Sequence, residues 1–238
     1  MRHDRPRRSI ECVGDAIRLE RVSKPGGGSR TIAHLGERDR RRYEAAVAAV
    51  LPSVERSLTP GVVANRAVRT ATGLELESWM LARLRYTRAL RAASKGPGRA
   101  VFLGDVRDCY GSITPATVQR ALCQAGVSPG RAERVAVLLQ SFESRGVRGL
   151  PIGPTPSAVL ANAVLAPVDT ALREAGEGRA YRWVDDVVVF TSDAASSRRA
   201  RAAFERALAA IGLQAHPDKC RVVDELPAAL PHGSSPSL

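Results

Sequence analysis

The sequence predicts an α+β fold in which helices pack on a small antiparallel sheet. Two observations carry this. RAVFLGDV (99–106) and the paired runs AYRWV and VVVF (180–190) have strand composition, and three helical stretches lie between them. The order strand–helix–helix–helix–hairpin–helix–strand then describes helices gathered on one sheet. No internal repeat is present.

Taken in order, residues 1–20 form a basic, weakly patterned N-terminal segment. KPGGGSRTI (24–32) reads as a glycine turn followed by a short strand. ERDRRRYEAAVAAVL (37–51) is helix-prone and is expected to end near Pro52. Residues 60–95 mix helical stretches such as ESWMLARLRYTRALRAA with loops, and SKGPG (94–98) breaks the chain. After the strand at 99–106, Thr114-Pro115 opens a helix, with Thr as N-cap and Pro in the first helical position. Ser128-Pro129 is a similar start, and Val135, Leu138, Leu139 and Phe142 give that helix an apolar face. GLPIGPTPS (149–157) is rigid and irregular, and it feeds SAVLANAVLAPVDTALREA, with a kink expected at Pro167. Beyond the hairpin, Phe204, Leu208 and Ile211 mark a helix that stops at Gly212. Residues 213–223 read as a turn and a strand, and 224–238 as a disordered tail.

Composition narrows the function classes. With 238 residues, 44% of them hydrophobic, the chain can bury one sizeable core or two subdomains sharing one. No apolar run approaches the roughly 18 residues of a membrane span, and no apolar h-region follows the basic start. The expectation is a cytoplasmic protein without a membrane partner. The net charge is +12, and all but Lys24, Lys95 and Lys219 of the 36 basic residues are arginines. Such a surface attracts polyphosphates, nucleic acid above all. The four cysteines are scattered, so reduced thiols are expected and zinc is not.

The chemistry concentrates in YRWVDDVVVF (181–190), where Asp185 and Asp186 sit between apolar strands. Aspartate is depleted in strands, and an unpaired buried carboxylate is costly. At about 4 Å two like charges repel by roughly 1 kcal/mol in water and about 4 at an effective dielectric near 20. A divalent cation reverses that sign, and hard oxygen ligands suit Mg²⁺. Asp105, at the end of AVFLG, is the candidate third carboxylate.

Five segments, spread over about residues 20–223, resemble the motifs of reverse transcriptases in their family order. GDVRDCYGSI (104–113) resembles palm motif A, and GLPIGPTPSAVLAN (149–162) motif B. RWVDDVVVF (182–190) resembles the aspartate-pair motif C, HPDKC (216–220) motif D, and KPGGGSRTIA (24–33) the fingers motif of bacterial and group II intron enzymes. The resemblance implies right-hand polymerase fingers over 21–98 and a palm over 99–223. It further implies Mg²⁺, with Mn²⁺ as substitute, and RNA, DNA and dNTPs as partners.

Residue by residue, the resemblance implies that Asp105 and Asp185 bridge two ions, that the Val106 carbonyl helps hold one, and that Asp186 is an outer carboxylate. Tyr110 matches the aromatic that excludes a 2′-hydroxyl. Lys24 and Arg30 match the basic residues that grip the triphosphate, and Gly153 the glycine that lets backbone approach a base. Lys219 matches the lysine that protonates leaving pyrophosphate. Trp183 either packs beneath the primer end or fills core. At Ile152, a template-contacting position, many members carry glutamine; an apolar residue here resembles the abortive-infection and unknown-group reverse transcriptases. That variant implies phage defence and synthesis that is untemplated or primed by a protein hydroxyl.

Only 19 residues follow Lys219, too few for a helical thumb of the usual kind. A partner protein, a structured RNA or self-association is the expected replacement. The leading expectation is RNA-templated, metal-dependent addition of deoxynucleotides to a primer 3′ end. Untemplated synthesis is the first alternative. A catalytically idle palm that binds nucleic acid is the second.

Overall fold

The computed structural model describes residues 16–23, 28–70, 73–95, 100–176 and 179–224. Strands β1 (Arg18–Ser23) and β2 (Ser29–His34) form an antiparallel ribbon, followed by helices α1 (Glu37–Ala48) and α2 (Leu51–Ser57). A second ribbon, β3 (Ala67–Thr70) with β4 (Gly73–Leu76), leads into α3 (Trp79–Ser94). Then come β5 (Ala100–Asp105), the single turn α4 (Cys109–Ser112), α5 (Pro115–Gln124), α6 (Pro129–Glu143) and α7 (Thr155–Ala175). The hairpin β6 (Ala180–Trp183) and β7 (Asp186–Thr191), helix α8 (Ala194–Ala210) and strand β8 (Arg221–Val223) complete the order. Among the described residues no helix is long and apolar enough to cross a membrane.

The expected sheet forms. Its strand order is β6-β7-β5-β8, and every pair within it is antiparallel. Both of its faces are covered, which is why β5 and β7 read as continuous apolar runs rather than alternating ones. On one face Phe102, Val187 and Val189 join a core with Leu160, Val164 and Val168 of α7 and with Phe204 and Leu208 of α8. On the other, Val101, Leu103, Val188 and Phe190 meet Ala82, Tyr86 and Leu90 of α3. The first core also takes in Ala33, Tyr43, Val47, Val54 and Val62, so the N-terminal and C-terminal halves share one interior. Tyr43 seals that junction: its ring meets Phe142 edge-on at 5.4 Å, and its hydroxyl bonds the Ser157 hydroxyl at 3.0 Å.

Both expected helix starts hold: the Thr114 side chain accepts from the Thr117 N–H with Pro115 in the first turn, and Pro129 opens α6. The structure adds a cap on α3, where Ser78 accepts from the Leu81 N–H. Four readings are corrected. The helix expected over 37–51 ends at Ala48, and Pro52 opens α2 instead, where its missing N–H costs nothing. Strand β1 begins inside the weakly patterned N-terminal segment and runs to Ser23, and the loops expected within 60–95 contain the β3–β4 ribbon. Helix α7 begins at Thr155, inside the stretch expected to be irregular, and runs 21 residues with Pro167 inside it. The glycine turn at 24–27, most of the breaker at 94–98 and the tail beyond Asp224 lie outside the described residues.

The α8–sheet junction gives a direct check. Phe204 is fully buried with its ring 5.6 Å from that of Phe102. Truncating Phe204→Ala is expected to cost about 3–5 kcal/mol in urea unfolding, through lost transfer energy and the cavity left behind. A cost under about 1 kcal/mol would contradict this packing.

Candidate active site

Strand register places the carboxylates. Asp105 ends β5 directly opposite Asp186, the first residue of β7. Trp183 faces Asp186 across β6–β7, which leaves Val184 and Asp185 as a two-residue turn. The sequence expectation had the turn at Asp185-Asp186; it lies one residue earlier, and Asp186 belongs to the ladder. Val184 has φ 57°, a region that β-branched residues rarely enter. The Val106 N–H donates to the Asp185 carbonyl at 3.2 Å, pinning the turn to the end of β5.

Asp105 and Asp186 are buried, at 4% and 8% exposure, while Asp185 is half-buried. Asp105 is held from both ends. Its carbonyl accepts from the His216 N–H at 2.8 Å, and its Oδ2 accepts from Lys219 Nζ at 2.7 Å. Burial works against the Lys219 charge, yet the Asp105 hydrogen bond and the charges of Asp105, Asp185 and Asp186 prevail and hold the ammonium above its ordinary value. All three carboxylates therefore bear on one cation. The two adjacent aspartates also act on different flanks: Asp186 pushes the buried Tyr86 phenol up, and Asp185 does so for Cys109 and Tyr110, in each case adding to burial. Tyr86, Gly104, Asp105, Asp186 and Lys219 line a cleft at this end of the sheet.

The other sequence candidates fall around this centre. Tyr110 lies in α4, half-buried, and its carbonyl accepts from the Leu150 N–H at 2.9 Å. That contact needs Gly149: its φ is +66°, and a Cβ there would stand 2.3 Å from the Tyr110 carbonyl oxygen. Ile152 bridges Ile32 of β2, with its carbonyl accepting from the Ala33 N–H at 2.9 Å. Gly153 follows, exposed and at φ +120°, a backbone form that glycine takes readily. Arg30 is half-buried, two residues before Ile32 and hence on the same face of β2, with a buried Nε that makes no hydrogen bond among the described residues. Lys24 lies outside the described residues. Val106 is buried beside the centre and bridges Ala215. Trp183 takes the core position: it is 5% exposed, 5.4 Å from the Tyr86 ring and 6.2 Å from that of Trp79, with the Arg83 guanidinium 5.3 Å from its own ring centre.

Among the described residues no group of three or more His, Cys, Asp or Glu side chains closes into a metal cage. The donor chemistry nevertheless fits a hard cation: oxygen ligands only, from three aspartates whose summed charge already draws in an ammonium. What sequence reading missed is Arg182. It is buried to 2%, and it bonds Asp169, Asn162 and the Val184 carbonyl. The signal available was an arginine inside an apolar strand, which must find a partner.

Residues 22–229 match the family Reverse transcriptase (RNA-dependent DNA polymerase). Among solved structures the chain is similar to apo telomerase from Candida tropicalis truncated from the C-terminal domain, with a TM-score of 0.54 and 11% identity. That likeness covers 92% of this chain and 51% of the telomerase chain, so this chain spans about half the length of that relative. No curated protein matches.

The Lys219–Asp105 pair has a pH signature. A cation whose folded pKa is raised stabilises the fold below its unfolded value of 10.5 and loses that contribution as pH rises through the folded value. Lys219→Met is therefore expected to cost no more than about 1 kcal/mol at pH 8, because the lysine is half exposed. The gap to wild type in urea unfolding should close progressively above pH 10.5. A gap that persists unchanged at pH 11.5 would remove the pair as its cause. The match over residues 22–229, with Asp105 and Asp186 paired across the sheet and Asp185 in the adjoining turn, establishes that this chain belongs to the reverse transcriptase family.

Proposed function

We propose that the chain is an RNA-directed DNA polymerase that adds deoxynucleotides to a primer 3′ end, with fingers over residues 21–98 and a palm over 99–223. The observation that carries this is the cross-strand pairing of Asp105 with Asp186, with Asp185 in the adjoining turn and Lys219 bonded to Asp105, in a chain of this family. Mg²⁺ ions held by Asp105, Asp185 and Asp186, with help from the Val106 carbonyl, would stabilise charge on the attacking and leaving oxygens.

The chain's own groups complete the task. Lys219, kept protonated by its carboxylate neighbours, holds a proton that leaving pyrophosphate can take. Arginine could not give one up. Arg30 on β2, with Lys24, grips the triphosphate through charge-assisted hydrogen bonds. Among the described residues its buried Nε makes no hydrogen bond, a donor that a small shift of the side chain would offer to a phosphate oxygen. Tyr110 stands against the Gly149–Leu150 turn as the barrier to a 2′-hydroxyl. One observation favours a second reading, untemplated synthesis: the template-contacting position is filled by Ile152, apolar and locked by backbone onto β2.

The deciding experiment incubates purified protein and Mg²⁺ with each labelled nucleotide, with and without a primed RNA template. Template-dependent dNTP incorporation supports the first reading, and product without template the second. Absence of product while an RNA–DNA duplex still binds would refute both. Asp185→Ala should lower incorporation by about a thousandfold or more while thermal unfolding stays close to wild type. Tyr110→Ala should raise the ratio of ribonucleotide to deoxynucleotide use by about tenfold or more, the size of a lost steric contact worth over 1.4 kcal/mol. An unchanged ratio would take the barrier role away from Tyr110.

A further inference from the structure

Arg182 is the largest of the fully buried side chains, and a lone guanidinium there would cost several kcal/mol. Its setting is elaborate. Nε and Nη2 donate to the two oxygens of Asp169 at 2.7 and 2.8 Å, and Nη1 donates to Asn162 Oδ1 at 2.9 Å and to the Val184 carbonyl at 2.7 Å. Asn162 and Asp169 lie two turns apart on one face of α7. The Asn162 amide in turn donates to the Ala64 carbonyl at 3.0 Å. The backbone of Arg182 joins the same loop, donating to the Gly61 carbonyl and accepting from the Val63 N–H. Burial alone pushes the Asp169 carboxyl up and the Arg182 guanidinium down; for Arg182 the attraction of Asp169 prevails, and it stays charged.

Stability is a weak reason for such a pair, because well-packed apolar residues of similar volume often serve a fold equally well or better. The bond to Val184 supplies a better one. Val184 is β-branched at φ 57°, a conformation that costs on the order of 1–3 kcal/mol and persists only where surrounding contacts impose it. The next residues are Asp185, whose carbonyl receives the Val106 N–H, and Asp186, which faces Asp105. We infer that Arg182, fixed by Asp169 and Asn162, is a positioning residue that clamps the Val184 carbonyl and so sets where Asp185 and Asp186 stand against Asp105. This rests on reading those aspartates as the polymerase carboxylates; Arg182 itself is sealed from substrate.

The test is the double variant Arg182→Met with Asp169→Leu, which removes both charges at similar volume and leaves no orphan ion. Three quantities are measured: urea unfolding, amide exchange at Val106, and steady-state incorporation. The Val106 N–H reports the turn directly, because the Asp185 carbonyl is its acceptor. The expected result is an unfolding midpoint near wild type and Val106 exchange about tenfold faster relative to Phe102 and Leu103, a local opening with the core intact. With it kcat should fall about a hundredfold at nearly constant KM, the cost of misplacing a reacting group by about 1 Å. A folded double variant with unchanged Val106 exchange and unchanged kcat would overturn the inference. Should the double variant fail to fold, Arg182→Lys decides the matter by the same two readouts, since it keeps the charge beside Asp169 and loses the fork that reaches Val184. If wild type itself incorporates nothing, the polymerase reading falls, and Val106 exchange alone still upholds or overturns the clamp.

Discussion

One constraint organises the molecule: the antiparallel register of β5 and β7 forces Asp105 and Asp186 to face each other at the end of a sheet buried on both sides. The surroundings read as answers to that repulsion. Lys219 supplies a positive charge, the Val106 and His216 amides fix the backbone at Asp105 and Asp185, and Arg182 holds the turn between β6 and β7. A fold seeking stability alone would place valines here. Keeping like charges in register makes physical sense where a cationic ligand is to arrive, because the ligand then relieves a repulsion that already exists.

The sheet and its central hairpin were legible because both faces are covered, so their strands announce themselves as apolar runs. Of the ribbons only β2 was, from the glycine run before it; β1, β3 and β4 were not. RLERVS buries almost nothing, and it pairs with β2 through backbone hydrogen bonds that leave no hydrophobic period. Pro52 misled because a proline that stops one helix sits equally well in the first turn of the next. At the site, the residue types were readable while their meetings were not. Asp105 with Lys219, Ile152 with Ile32, and Arg182 with Asn162 are contacts between distant segments, and no local pattern encodes a partner.

The N-terminal ribbon and the loop before α7 form one mechanical unit. Ile32 and Ile152 are bridged backbone to backbone, Ala33 sits in the main core, and Tyr43 of α1 bonds Ser157 of α7. A displacement of β2 therefore carries the Gly149–Gly153 turn with it, and through the Leu150 amide it reaches the Tyr110 carbonyl. The segment holding Arg30 and the segment holding Tyr110 are coupled by main chain rather than by exposed side chains. Such a link survives surface drift in sequence.

The separation of Asp105 and Lys219 by 114 positions has a consequence for synthesis on the ribosome. Strand β5 emerges early, but its neighbours β7 and β8 lie far downstream, so it must wait with both edges open. Pairing of that kind is slow, because a long loop has to close before any contact rewards it. Until β7 leaves the tunnel Asp105 lacks its opposing carboxylate, and until the segment before β8 follows it lacks its lysine. A truncated nascent chain thus carries the apolar strand as an aggregation risk and none of the assembled charge centre, and the centre comes into being only once nearly every residue described here has been made.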